Sequence, residues 1–329
     1  MGSPRIAVVI PTWNRGALVE RAVASVRAQT VAAHEILVVD DGSTDDTESR
    51  MRRHGDSVRY LRQQNAGAGA ARNNGMRAAA SEWVAFLDSD DVFAFDHLAR
   101  LSQAIDGTGG RPATFFRDTQ EEGEAQTFWQ KCAFAAKAPF EVAADAMDWA
   151  MLPVQPILPS SMLVHRERAL ALGGMPALPM REDTSFLFTM ALHHPMCAVP
   201  GVGALLSTAA GPNRQTVQVS PRTWSYWECT LRLYADIWAR CAAAGHPRTA
   251  ELHGRVANCV WRIGRLAMTS GRTWLGSRLL LRSKLAAMPG LGRWLLPRSI
   301  ARAGAVIARC GVGAGGAAGG ARGTGPARA

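Results

Sequence analysis

The sequence predicts an α/β protein with a mostly parallel central sheet flanked by helices, followed by a basic helical carboxyl-terminal region. Three observations predict it. Short runs rich in β-branched residues alternate with helix-patterned segments over residues 5–87. Those runs are apolar throughout rather than alternating, as in parallel strands covered on both faces. Three successive strand ends carry polar clusters, "PTWNR", "DDGS" and "DSDD", and sheets of this kind bind ligands beyond the carboxyl ends of their strands.

The elements follow in order. "RIAVVI" at residues 5–10 is a strand stopped by Pro11, which has no amide donor for a ladder. Residues 16–29 place Leu18, Ala22, Val23 and Val26 at helical spacing. "EILVV" at 35–39 is a second strand. It ends in "DDGSTDDT", where Ser43 with Asp46 three residues on predicts a helix cap. Residues 58–61 form a short third strand. Residues 65–75 read as a Gly/Asn-rich turn entering an Ala-rich helix that ends near Ser81. "WVAFL" at 83–87 is the fourth strand. Beyond it, "DGTGGRP" reads as a loop, "TQEEGEAQ" as exposed, and residues 140–151 as a helix. Pro153, Pro156 and Pro159 impose an extended path. A strand at 162–164, a helix at 166–172 stopped by two glycines, a helix at 183–192 and a strand or hairpin at 199–208 complete the first part. From Pro221 the pattern is helical, and the Gly/Ala-rich end is low-complexity. The expected domains are residues 1–221, a basic helical region 222–310 and a disordered tail 311–329.

Charge divides the chain in the same place. Of the 329 residues, 47% are hydrophobic and the net charge is +10. Residues 1–221 hold 20 Lys+Arg against 24 Asp+Glu, whereas 222–329 hold 17 against 3. A basic back end calls for an anionic neighbour. The cysteines at 132, 197, 229, 241, 259 and 310 contain no CxxC pair, which argues against a zinc site and for reduced thiols. The start, "MGSPRIAVVIPTWNR", lacks a signal-peptide pattern, and no apolar run approaches the roughly 18 residues of a spanning helix. The expected location is the cytoplasm, with peripheral attachment at the inner face of the plasma membrane as a further option.

The motifs narrow the chemistry. "NAGAGAARNNG" offers Gly67 and Gly69 but has Arg72 where a third glycine is wanted, and it follows the third strand rather than the first. A nicotinamide site is therefore not expected. "LDSDD" places Asp88 and Asp90 about a serine just past a buried strand. Clustered carboxylates raise one another's pKa unless a cation joins them, and hard oxygen ligands at this edge suit Mg2+ or Mn2+ bridging to a diphosphate. The competing reading is a solvated acidic turn. Asp40 and Asp41, at the second strand's end, are placed to accept from a nucleobase N–H or a ribose hydroxyl. Arg72 reads as a nucleotide contact or as the ion-pair partner of the aspartates, with Asn65 and Gly67 allowing close backbone approach.

These stretches resemble family-2 inverting glycosyltransferases of the GT-A fold, whose nucleotide-binding half is Rossmann-like. "AVVIPTWNR", "EILVVDDGSTDDT", "NAGAGAARNNGMRAA", "WVAFLDSDD", "SSMLVHRERALALGGM" and "REDTSFLF" occur in that family's order and spacing, over roughly residues 5–208. The resemblance implies that Pro11, Thr12 and Asn14 line the nucleobase and ribose pocket. Asp41 would contact the base, and Arg72 would lie near the nucleotide. It implies Asp88 and Asp90 as the DxD metal motif, with Asp91 a further ligand. Asp183 is the implied general base, with Glu182 as the fallback. The implied reaction moves one sugar from a nucleotide-diphosphate donor, expected to be UDP-linked, to a hydroxyl of a saccharide or lipid-linked acceptor. Inversion, a divalent metal and a role in bacterial cell-envelope polysaccharide synthesis follow from the same resemblance. The QxxRW motif of processive members is absent, so single transfers are expected. In "LLSTAAGPNRQT", Arg214 is a candidate diphosphate contact, and no histidine accompanies it. Two alternatives stay open: a nucleotidyltransferase using Arg15, and a catalytically degenerate binding or scaffold protein.

In the basic region, Trp274, Leu275, Leu279, Leu281, Leu285 and Met288 are expected to share a broad helical face ringed by Arg272, Arg278, Arg282 and Lys284. Such a helix reads either as a membrane-surface element or as a helix packed on the rest of the protein. No nucleic-acid-binding module is recognisable, so nucleic acid is not an expected partner.

Overall fold

The structure, a computed structural model, describes residues 3–208, 223–286 and 292–311. The chain divides into two compact units, Met1–Val217 and Gln218–Ala329. In the first unit the order is β1 (Ile6–Thr12), α1 (Gly16–Arg27), β2 (Glu35–Asp40), α2 (Thr47–Arg52), β3 (Arg59–Arg62), α3 (Ala68–Ala78), β4 (Trp83–Phe86), β5 (Val92–Phe93) and α4 (His97–Thr108). It continues with β6 (Thr114–Glu121), α5 (Phe128–Lys131), β7 (Glu141–Ala143), α6 (Met147–Ala150), β8 (Met162–His165), α7 (Arg166–Ala171), α8 (Glu182–His193) and β9 (Met196–Leu206).

One sheet runs in the order β3-β2-β1-β4-β8-β6-β9-β5, with β7 pairing on β9. It is parallel through β3, β2, β1 and β4. β8 then enters antiparallel between β4 and β6, while β6 and β9 are again parallel. β1, β2, β3, β4, β6 and β9 therefore point one way, which makes the sheet mostly parallel in direction. All seven residues of β1 are buried, as a central strand covered by helices requires. α1 turns Val19, Ala22, Val23 and Val26 inward, so Val19 rather than Leu18 completes the apolar stripe. α3 comes close to β1 because Gly75 has no side chain: a Cβ there would overlap Val9 Cγ1 and lie 2.8 Å from its Cγ2.

Several local expectations change. Ser43 is not a cap; α2 starts after Asp46, and the Asp45 carboxylate accepts from Thr47 N at 3.0 Å. The Gly/Asn-rich segment is already helical from Ala68. α4 continues through Thr108, so the expected 106–112 loop begins only at Gly109, whose left-handed φ of 61° ends the helix. β6 carries the chain through Glu121, so Thr119 is buried rather than exposed. Residues 140–151 split into β7 and the short α6, because Glu141, Val142 and Ala143 pair with β9.

The second unit holds α9 (Trp224–Ala243), α10 (Thr249–Thr269), α11 (Thr273–Ala286) and α12 (Gly292–Gly311). Leu231, Val256, Val260, Ile263, Leu279, Leu296 and Ile307 form its own core. The face expected around Trp274 divides. Leu279 is 1% exposed, whereas Trp274 and Leu281 are 66% and 61% exposed. Arg214, Met288 and the tail from residue 312 lie outside the described residues.

Candidate active site

The parallel pairing brings the carboxyl ends of β1, β2 and β4 to one edge. Thr12 stands opposite Asp40 in register, and Asp41 N donates to the Thr12 carbonyl at 2.8 Å. Thr12 is 3% exposed, and its Oγ1 has no hydrogen-bond partner. Asn14 has a left-handed φ of 52°. Its amide donates to Ser43 Oγ at 2.8 Å and its Oδ1 accepts from Thr44 N at 2.7 Å, which ties the β1 end to the β2 end.

The two aspartates after β2 shape the cradle. Asp40, fully buried, accepts from Ser43 N at 2.7 Å and from the Tyr60 hydroxyl. Burial and the Asp40 charge push the Tyr60 pKa up. Asp41 accepts from Gln63 Nε2, Ala66 N and Gly67 N, each at 2.8 Å. It thereby folds the approach to α3 around itself. Gly67 meets this turn with φ at 91°, where a side chain would be strained. Asn65 is exposed on the same loop, its amide nitrogen close to Gly42.

From the first turns of α3, Arg72 enters the site. It is 4% exposed, with Nη2 2.5 Å from Asp88 Oδ1 and Nη1 3.4 Å from Glu182 Oε1. Burial alone would lower its pKa, and Asp88 and Glu182 more than reverse that. Glu182 is held above the usual carboxylate range by burial, against the pull of Arg72. Gly69 allows this approach, since a Cβ there would lie 2.7 Å from Glu182 Cγ. The Arg72 Nε has no partner.

The clustered acids beyond β4 have separate environments. Asp88 faces Arg72, and its backbone amide donates to Ser160 Oγ at 3.1 Å. Asp90 pairs with Arg15 at 3.0 Å. Asp91 is 4% exposed and accepts from Ser160 Oγ at 2.6 Å and Ser207 N at 3.1 Å. Burial, with the Asp88 charge next, pushes its pKa up to about 7. Two of the three carboxylates thus face a guanidinium, and the third lies in an anchoring network.

Among the described residues no group of three or more His, Cys, Asp or Glu is arranged to hold a metal alone. The donor set still fits Mg2+ or Mn2+, which bind through one or two carboxylates plus substrate phosphates rather than an all-protein cage. Asp88, about one-third exposed at its side chain, and Asp90, which pairs with Arg15, are the carboxylates that would hold it.

α8 supplies the last two predicted residues. Arg181, with φ at 63°, precedes Glu182 and Asp183 in the first turn, where the helix dipole favours carboxylates. Asp183 Oδ1 accepts from Thr184 N at 2.6 Å and from Thr184 Oγ1 at 3.2 Å. It lines a small hollow with Gln155, Leu158, Pro159, Met162 and Leu187. It directly follows Glu182, one end of the Asp88–Arg72–Glu182 bridge. Sequence reasoning missed Ser160, Ser207 and the Asn73–Met175 pair, whose amides bind each other's oxygens at 2.7 and 2.8 Å. Only the hydroxyl pair before "MLVH" was a visible signal.

The sheet order and its flanking helices define a GT-A fold. TarS 1-349 of S. aureus, solved in complex with UDP-GlcNAc, matches with a TM-score of 0.62 at 17% identity, over 94% of this chain and 92% of that one. The mannosyltransferase PcManGT from Pyrobaculum calidifontis, solved with GDP-Man and Mn2+, matches at 0.54 and 18%, over 94% and 88%. At such identities the likeness concerns the fold. Residues 7–154 match the family Glycosyl transferase family 2. The Campylobacter jejuni GalNAc(5)-diNAcBac-PP-undecaprenol beta-1,3-glucosyltransferase is 38% identical over 105 residues, 30% of this chain. The match spans 34% of that relative's length.

Proposed function

We propose that the protein transfers one sugar from a UDP-linked donor to a hydroxyl of a saccharide or lipid-linked acceptor, inverting the anomeric carbon, in bacterial cell-envelope polysaccharide synthesis. The observation that carries this reading is the buried Arg72 bridging Asp88 to Glu182. It joins the acidic loop beyond β4 to the start of α8, so a donor phosphate side and a proton-accepting side meet at one point. Pro11, Thr12, Asn14, Asp40, Asp41, Asn65 and Gly67 form the nucleoside cradle, in which the buried Thr12 Oγ1 can bond a nucleoside oxygen. Asp90 and Asp88 would hold a Mg2+ or Mn2+, which would neutralise charge on the leaving diphosphate. Asp91 braces that loop from behind through Ser160 and Ser207.

The acceptor oxygen attacks the anomeric carbon as the carbon–oxygen bond to the diphosphate breaks, and the bonding pair leaves with the diphosphate. Asp183 takes the acceptor proton. No hydrogen bond reaches its Oδ2 among the described residues, whereas Glu182 is committed to Arg72. A single displacement inverts the centre and needs no protein nucleophile. The lipid-linked option draws on the Campylobacter jejuni relative, whose name carries PP-undecaprenol.

Titration of the protein with UDP, GDP and dTDP, with and without Mn2+, tests the reading. UDP is expected to bind tightly only with Mn2+, and Asp90→Ala to lose that binding. Absence of nucleotide binding under every condition would replace this reading with that of a degenerate binding protein.

A further inference from the structure

The helical unit carries an apolar and basic face that its own core does not use. α11 packs on α10 at Gly276 and Gly264: a Cβ on Gly276 would lie 2.7 Å from the Gly264 carbonyl oxygen and 2.9 Å from Met268 N. Leu279 and Ser283 are buried on that same side. At about 100° per residue, Trp274, Arg278, Leu281 and Leu285 fall within roughly 60° of one another on the opposite side. Trp274 and Leu281 are among the most exposed large apolar side chains of the described residues. The Arg278 guanidinium lies over the Trp274 ring at 4.6 Å, and Arg282 and Lys284 flank the stripe. On α10, Arg262 and Arg265 sit at 5.2 and 5.1 Å from the half-buried Trp261 ring. After Glu251 the sequence contains 13 Lys and Arg and no Asp or Glu.

We propose that this face of α11 docks in the plane of an anionic lipid bilayer. Trp274 and Leu281 enter the headgroup boundary, where an aromatic ring with a polar edge is favoured. Arg278, Arg282 and Lys284 meet lipid phosphates. The acid-free run supplies charge complementarity to such a surface and to no basic or neutral one. Attachment is in-plane because no described helix is long and apolar enough to cross a membrane. The inference rests on the helical unit alone and stands apart from the sugar-transfer reading.

Co-sedimentation of the full chain with vesicles tests it. The protein is expected to bind phosphatidylcholine vesicles containing about one-third phosphatidylglycerol at least about tenfold better than phosphatidylcholine alone, with the difference shrinking in high salt. Trp274→Ser with Leu281→Ser should weaken binding about tenfold or more at an unchanged unfolding midpoint. Neutralising Arg278, Arg282 and Lys284 to Gln should weaken it about fivefold per charge. Equal binding to both vesicle types, or undiminished binding by either variant, would overturn the proposal. Binding to a single-stranded oligonucleotide without vesicle binding would overturn it too and assign the face to nucleic acid.

Discussion

Arg72→Met removes a cation hydrogen-bonded to two carboxylates of the site. At an effective dielectric near 20, unit charges 4 Å apart interact by about 4 kcal/mol, and breaking a buried pair from one side costs about 3–5 kcal/mol. Asp88, with about a third of its side chain exposed, recovers part of its loss from water. Glu182, 11% exposed at its side chain, cannot. It protonates instead, since its pKa, already raised by burial, loses the opposing pull of Arg72. A carboxyl whose folded pKa is raised contributes stability that is complete below the unfolded value of 4.5 and is lost as pH rises through the folded value. The deficit of Arg72→Met should therefore widen from about 1–2 kcal/mol at pH 5 to about 2–4 kcal/mol at pH 8. Urea unfolding of the wild type, Arg72→Met and Arg72→Met with Glu182→Gln across that range measures it. The double variant should regain much of the loss at pH 8. A deficit independent of pH and unrelieved by Glu182→Gln would refute the argument.

Further outcomes follow from neighbouring residues. In chelator, the wild type should lose stability between about pH 4 and 7 as Asp91 ionises, whereas Asp91→Asn should not; the two unfolding curves diverge by on the order of 2–4 kcal/mol. Gly75→Ala should destabilise by about 1–3 kcal/mol or more, read by denaturant midpoint, because the new methyl meets Val9 on the central strand. Asp41→Ala should release the Ala66 and Gly67 amides to fast hydrogen exchange and cost about 1–3 kcal/mol. Asp183→Asn should keep nucleotide affinity within about twofold while lowering transfer by about a hundredfold or more; equal activity would remove Asp183 from the proton-accepting role.

The parallel half was legible because β1, β2 and β4 are buried runs with hard stops, so residue order alone put their polar ends on one edge. β6 was not. Its buried residues include Arg117, Asp118 and Thr119, which break the apolar pattern; only the fold brings Asp96 to Arg117 and Trp129 N to Asp118. Residues 140–151 misled for the converse reason, since their apolar spacing suits a helix until β9 offers an edge to Glu141–Ala143. In the site, the location of Asp88, Asp90 and Arg72 could be read from position. The anchoring by Ser160 could not, because it depends on β8 pairing antiparallel to β4, a contact between residues some eighty apart. On α11, spacing identified an amphipathic helix but could not tell which apolar residues face inward, as both sides carry them.

The switch from parallel to antiparallel pairing at β4 and β8 bears on chimeras. An exchange of the chain after the matched family segment, to import another acceptor specificity, would cut between the acidic loop and its two braces. Those braces are unequal. At 207 the backbone amide does the bracing, so proline is excluded there, and the site is fully buried. At 160 the hydroxyl both accepts from Asp88 N and donates to Asp91, so a transplanted segment must bring a serine or threonine there.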